Sequence, residues 1–70
     1  MMISKELRES IKLSDMRAYQ IARLADLHPS TLSQIMRGIV KIKKWDERVM
    51  RVGKVLGFEP EKCFSEEDEE

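Results

Sequence analysis

Ser30, Thr31, Ser33, Gln34 and Arg37 fall within one eight-residue run, 30–37. Their side chains are of the kind that read nucleic acid. Glutamine can bond an adenine edge through two hydrogen bonds, and arginine can clamp a guanine or a phosphate. Each residue also has an ordinary alternative. Gln34 would otherwise be solvated surface, Ser30 and Thr31 would cap a helix start, and Arg37 would bind the carbonyls at its own helix end. Lys41, Lys43 and Lys44 follow within a few residues. Lysines of this kind neutralise phosphates without reading sequence, although a lysine run is usually just a solvated loop. His28 reads as a cap or a phosphate neighbour, and Tyr19 as a phosphate donor or a half-buried packing residue.

The same inventory argues against catalysis and against a metal. The chain holds one histidine, one cysteine and three glycines in 70 residues. No nucleophile–base set, carboxylate pair, phosphate loop or metal cluster can be assembled from them. No metal and no cofactor is expected, and Cys63 reads as a small apolar filler. A single cysteine allows no internal disulfide and makes a reducing cytoplasm the default compartment. No apolar run is long enough to span a membrane, and the opening residues do not resemble a signal peptide.

Charge distribution says more than the sum. There are 13 basic and 13 acidic residues, and five of the acids occupy positions 66–70, which leaves 13 against 8, or +5, for the remainder. Seven basic residues (Arg37, Lys41, Lys43, Lys44, Arg48, Arg51, Lys54) lie between 37 and 54, against Asp46 and Glu47. This is a local positive patch that begins where the third helix is expected to end, the kind of patch a nucleic-acid partner requires.

Helices must position these groups. Ile3, Leu7 and Ile11 recur every four residues and predict an amphipathic helix of about three turns. Ser14 and Asp15 end it or cap the next, and Met16 folds inward. A second helix is expected over about 17–26, with Ala18, Ile21, Ala22 and Ala25 inward and Leu24 either a lone exposed leucine or a subunit contact. Pro29 suits the first position of a third helix, 29–37, with His28 as its cap. Leu32 and Ile35 face inward, and Gly38 terminates the helix. Residues 39–42 read as a loop whose Ile39, Val40 and Ile42 cover the core. A fourth helix over 45–56 places Trp45, Val49, Val52 and Leu56 in one buried stripe. Gly53 within it implies close packing. Gly57 terminates this helix, Phe58 returns to the core, and a single turn over 60–64 is anchored by Phe64. Residues 65–70 are expected to be disordered beyond a domain of 1–64.

At this point the residues carry a family likeness. QIARLADLHPSTLSQIMRG, at 20–38, resembles the helix-turn-helix of the Cro/phage-repressor family, also called the xenobiotic-response-element family. VGKVLGFEPEKCF, at 52–64, is similar to that family's fourth helix, Leu-Gly turn and closing Phe turn. The resemblance implies an all-α, compact, four- to five-helix lambda-repressor-like domain that inserts its third helix into a major groove. Ser30, Thr31, Ser33, Gln34 and Arg37 would then meet bases, while His28, Lys41, Lys43 and Lys44 meet phosphates. Three positions depart from the family pattern. Asp26 stands at the turn glycine, and aspartate tolerates a left-handed backbone better than most residues. Ala18 stands where a phosphate-binding glutamine is common, leaving Arg17 or Tyr19 to replace it. Met36 stands where glutamate is frequent.

A transcriptional regulator of phage or prophage type, binding double-stranded DNA as a homodimer, is the first expectation. The dimer surface would come from the fourth and fifth helices, Leu24 or the 39–42 loop. The alternative is an antitoxin or other protein-interaction module on the same scaffold. Its acidic segment would engage a toxin or antirepressor, or compete with DNA for the lysines.

Overall fold

The computed structural model describes residues 2–65. Four helices, α1 (Lys5–Leu13), α2 (Ala18–Leu24), α3 (Pro29–Met36) and α4 (Glu47–Val55), are followed by a 3-10 turn at Pro60–Lys62. Two two-residue strands, β1 (Met2–Ile3) and β2 (Phe64–Ser65), pair antiparallel, Met2 with Ser65 and Ile3 with Phe64. The domain is thus mostly helical, with a minimal sheet joining its two ends.

Ser4 explains why Ile3 lies outside α1. Its extended backbone (φ −67°, ψ 154°) starts the helix, and its hydroxyl accepts from the Leu7 N–H at 3.1 Å. The same hydroxyl donates to the Lys62 carbonyl at 2.8 Å, and the Ser4 N–H donates to the Cys63 carbonyl at 2.8 Å. One buried serine therefore caps a helix and ties the two ends of the fold together. The apolar spacing Ile3–Leu7–Ile11 holds because all three side chains enter the same core.

Leu7, Ile21, Leu32, Val49 and Cys63 are the largest fully buried side chains. Gly53 lies in α4 against the 3-10 turn. A methyl group there would collide with Cys63 Sγ and press Phe58 Cβ at 3.4 Å, the close approach its glycine implied.

Several expectations need correction. Trp45 is not in the α4 stripe. It sits in a β-turn closed by the Asp46 N–H on the Lys43 carbonyl (2.9 Å), with φ 67°, and Asp46 takes the cap position. The helix therefore starts two residues after Trp45, which is half exposed. Ala18 is exposed as well; it stands in the open first turn of α2, lining a surface cleft with Met16 and Met36. In the 39–42 loop, Ile42 is buried and Val40 half-buried, but Ile39 turns outward. Phe64 does not anchor the last turn. Cys63 does, while Phe64 and Ser65 form β2. The start of the segment expected to be disordered, Ser65, is thus paired, and 66–70 lie outside the described residues.

Candidate nucleic-acid interface

α2 and α3 are joined by four residues, Ala25 to His28, and the first three donate their backbone N–H groups back into α2. The Asp26 N–H reaches the Arg23 carbonyl (3.0 Å) and the Leu27 N–H reaches the Ala22 carbonyl (2.8 Å). These are the two bonds of a Schellman cap, and they require a left-handed residue between helix and turn. Asp26 supplies it with φ 61°. Leu27 is half-buried against the core, which fixes the angle at which the chain leaves α2. A third clamp comes from far away in sequence. Arg51 Nε on α4 donates to the Ala25 carbonyl at 2.8 Å, and its guanidinium lies 3.5 Å from Glu47. The turn between the two helices is therefore braced by a third helix.

α3 begins at Pro29, with His28 as its cap. The imidazole Nδ1 accepts from the Ser30 N–H at 3.2 Å and lies 2.8 Å from the Ser30 hydroxyl. This bears out the cap reading of His28 and engages Ser30 in the same cap. Leu32 and Ile35 are buried, which forces the opposite side of the helix outward. Ser30, Ser33, Gln34 and Arg37 are all exposed, at spacings of three, one and three, so they form a single ridge. Thr31 is half-buried on its flank. The ridge ends in a second Schellman cap, Gly38 N–H to Ile35 carbonyl (3.1 Å) and Ile39 N–H to Gln34 carbonyl (2.9 Å), with Gly38 at φ 75°. Arg37 caps through its backbone. Its guanidinium makes no hydrogen bond or ion pair among the described residues, so it does not bind its own helix end.

Lys41, Lys43 and Lys44 are exposed on the loop that leaves α3, and buried Ile42 pins that loop to the core between them. Lys44 Nζ stands 5.5 Å above the Trp45 ring, whose edge-to-face partner is Phe64 at 6.0 Å. Beyond the loop, Asp46 caps α4 through the Arg48 N–H (2.9 Å) and holds the Arg48 guanidinium in two bonds of 3.1 and 2.8 Å. The Arg48 side chain, first by hydrogen bonding, holds the Asp46 carboxyl below its ordinary range despite partial burial. Arg17 and Tyr19 are exposed at the start of α2, where the Arg17 N–H donates to Gln20 Oε1 at 2.8 Å. Arg17 lines the same surface cleft as Met36, the last residue of α3.

The arrangement thus gathers Ser30, Ser33, Gln34 and Arg37 into one outward ridge, with a lysine loop continuing from its end. Sequence reasoning missed three contributors. Gln20 caps α2 and was masked by the more familiar Ala18 position. Arg51 braces the turn across 26 residues of sequence, a contact with no local signature. Trp45 shares the right helical phase with Val49 but leaves the helix by a turn. No family model, no curated protein and no solved structure matches the chain.

Proposed function

We propose that the chain is a sequence-specific double-stranded-DNA-binding regulator. Its α3 enters the major groove and its lysine loop grips the adjoining backbone. One observation carries the reading: four polar residues of the right chemistry form an unobstructed ridge on a short helix whose base is fixed at both ends. A helix presented on a braced partner helix is the geometry that fits a groove about 12 Å wide. The likeness of residues 20–38 to the phage-repressor helix-turn-helix supports the same reading. Gln34 and Arg37 would read bases; Ser30, Thr31 and Ser33 would meet bases or phosphates. Arg17, Tyr19, His28, Lys41, Lys43 and Lys44 would hold phosphates.

So small a reading head makes few contacts, and two copies on a palindromic site would supply the rest. Leu24 is 64% exposed and shares an open groove with Val55, Arg51 and Lys54. This groove is the surface we assign to a second copy. It also favours the second reading, an antitoxin-type module, in which the same groove would receive another protein.

The test is selection of binding sites from random duplexes at two salt concentrations. A single enriched motif is expected. On that motif Gln34→Ala should cost about 1–3 kcal/mol, while Lys43→Ala should weaken all duplexes alike and lower the salt slope by about one unit. Absence of any enriched motif, with no retardation of duplex DNA at low salt, sinks the reading and leaves the protein-interaction module.

A further inference from the structure

The surroundings of β2, the last described element, bear on what residues 66–70 can reach. Phe64, in β2, packs its ring against Trp45, with centroids 6.0 Å apart and planes at 71°. Lys44 Nζ lies 5.5 Å from the same indole centroid. The last described strand and the lysine loop therefore share one aromatic platform, and Glu66, Glu67, Asp68, Glu69 and Glu70 follow that strand directly in sequence. Five fully extended residues span about 17 Å, and Lys43 and Lys41 lie one and three residues before Lys44 in the same loop.

Charge argues in the same direction. The five acids balance the +5 of the rest of the chain. A short tether holds them at an effective concentration on the order of millimolar near the loop. Carboxylates and phosphate oxygens are the same kind of acceptor for an ammonium group. We propose that the acidic segment 66–70 docks on the loop formed by Lys41, Lys43 and Lys44 and occupies the phosphate-binding positions until DNA displaces it. The proposal rests on the DNA-binding reading for its consequence, but not for the docking itself. Docking lowers affinity for any duplex and leaves the choice of sequence to α3, because the lysines carry no base information.

Trp45 is the chain's single tryptophan and stands at the junction, so its emission reports docking directly. The experiment compares four full-length proteins: wild type; one with Glu66, Glu67, Glu69 and Glu70 changed to Gln and Asp68 to Asn; one with Lys41, Lys43 and Lys44 changed to Gln; and the combination. Without DNA, raising KCl from low to high concentration should shift the Trp45 emission of the wild type, as screening releases the segment. It should shift neither single-site set nor the combination. With a random-sequence duplex at low salt, neutralising the segment should tighten binding about tenfold when the lysines are present. In the background without Lys41, Lys43 and Lys44 the gain should shrink to within twofold.

An equal gain in both backgrounds means that net charge alone is acting, and it overturns the proposal. So does a Trp45 emission that ignores both salt and segment charge. Should no variant bind duplex DNA, the DNA-binding reading fails, and the emission arm still decides whether the segment docks.

Discussion

Trp45 concentrates the physical conflict of this molecule in one residue. A bulky aromatic side chain at φ 67° is a rare backbone state, costing roughly 1–3 kcal/mol. The turn from Lys43 to Asp46 demands it, since the Asp46 N–H must reach back to Lys43 before α4 can start. The edge-to-face contact with Phe64 offsets about 0.5–1.5 kcal/mol of that cost, and the Lys44 ammonium over the ring about 0.5–1 kcal/mol. This balance orders two substitutions. Trp45→Gly gives up the contacts but relieves the backbone; Trp45→Ala gives up the contacts and keeps the strain. The glycine variant should therefore be the more stable of the two by about 1 kcal/mol in urea unfolding. A more stable alanine variant would mean that the turn relaxes out of the left-handed state when the ring is removed.

At the scale of elements, each helix that carries the candidate interface is defined by its ends more than by its middle. α2, α3 and α4 all stop on Schellman caps with a left-handed residue, Asp26, Gly38 and Gly57. α4 starts on Asp46, whose carboxylate takes the Arg48 N–H and guanidinium together. Because that carboxyl titrates below its ordinary value of 3.8 in the folded chain, its stabilisation is complete above that value. It is lost as the pH falls through the lower folded value. Asp46→Asn keeps a capping oxygen and removes the titration, so thermal unfolding between pH 6 and 2 should show a shallower acid loss than wild type. Asp46→Ala should cost about 1 kcal/mol even at neutral pH. An unchanged acid profile in the asparagine variant would assign the loss to other carboxylates. These ends also mark what could be read in advance. Gly38, Gly57, Pro29 and the 32/35 spacing are local signals, and they place α3 and four of its five expected outward residues; Thr31 is half-buried instead. The start of α4 was misplaced because Trp45, Val49 and Val52 keep helical phase across a turn that periodicity alone does not reveal. Ile3 was assigned to a helix because its strand partner, Phe64, lies at the far end of the sequence. The brace from Arg51 to Ala25 was invisible for the same reason.

For the molecule as a whole, the first and last described elements close the core jointly. Ser4 bonds to Lys62 and Cys63, β1 pairs with β2, and Cys63 is fully buried against Gly53. A domain of this size has little stability to spare, since it buries only about 60% of its unfolded surface. Loosening this closure should therefore expose Cys63 before the α2–α3 pair separates. Burial pushes the Cys63 thiol up, so the folded protein holds it protonated and shielded, a poor nucleophile. Its labelling by an aromatic disulfide should follow opening of the closure, with a rate set by the open population. Ser4→Ala removes the helix cap and the bond to Lys62 at once. It should accelerate labelling about 5- to 30-fold, for a loss of about 1–2 kcal/mol. If the closure is a separate opening unit, that acceleration appears without an equal loss of α3 protection in amide exchange. Equal losses at both places would mean that the small sheet and the helix pair open as one, and the interface could not form without the ends being joined.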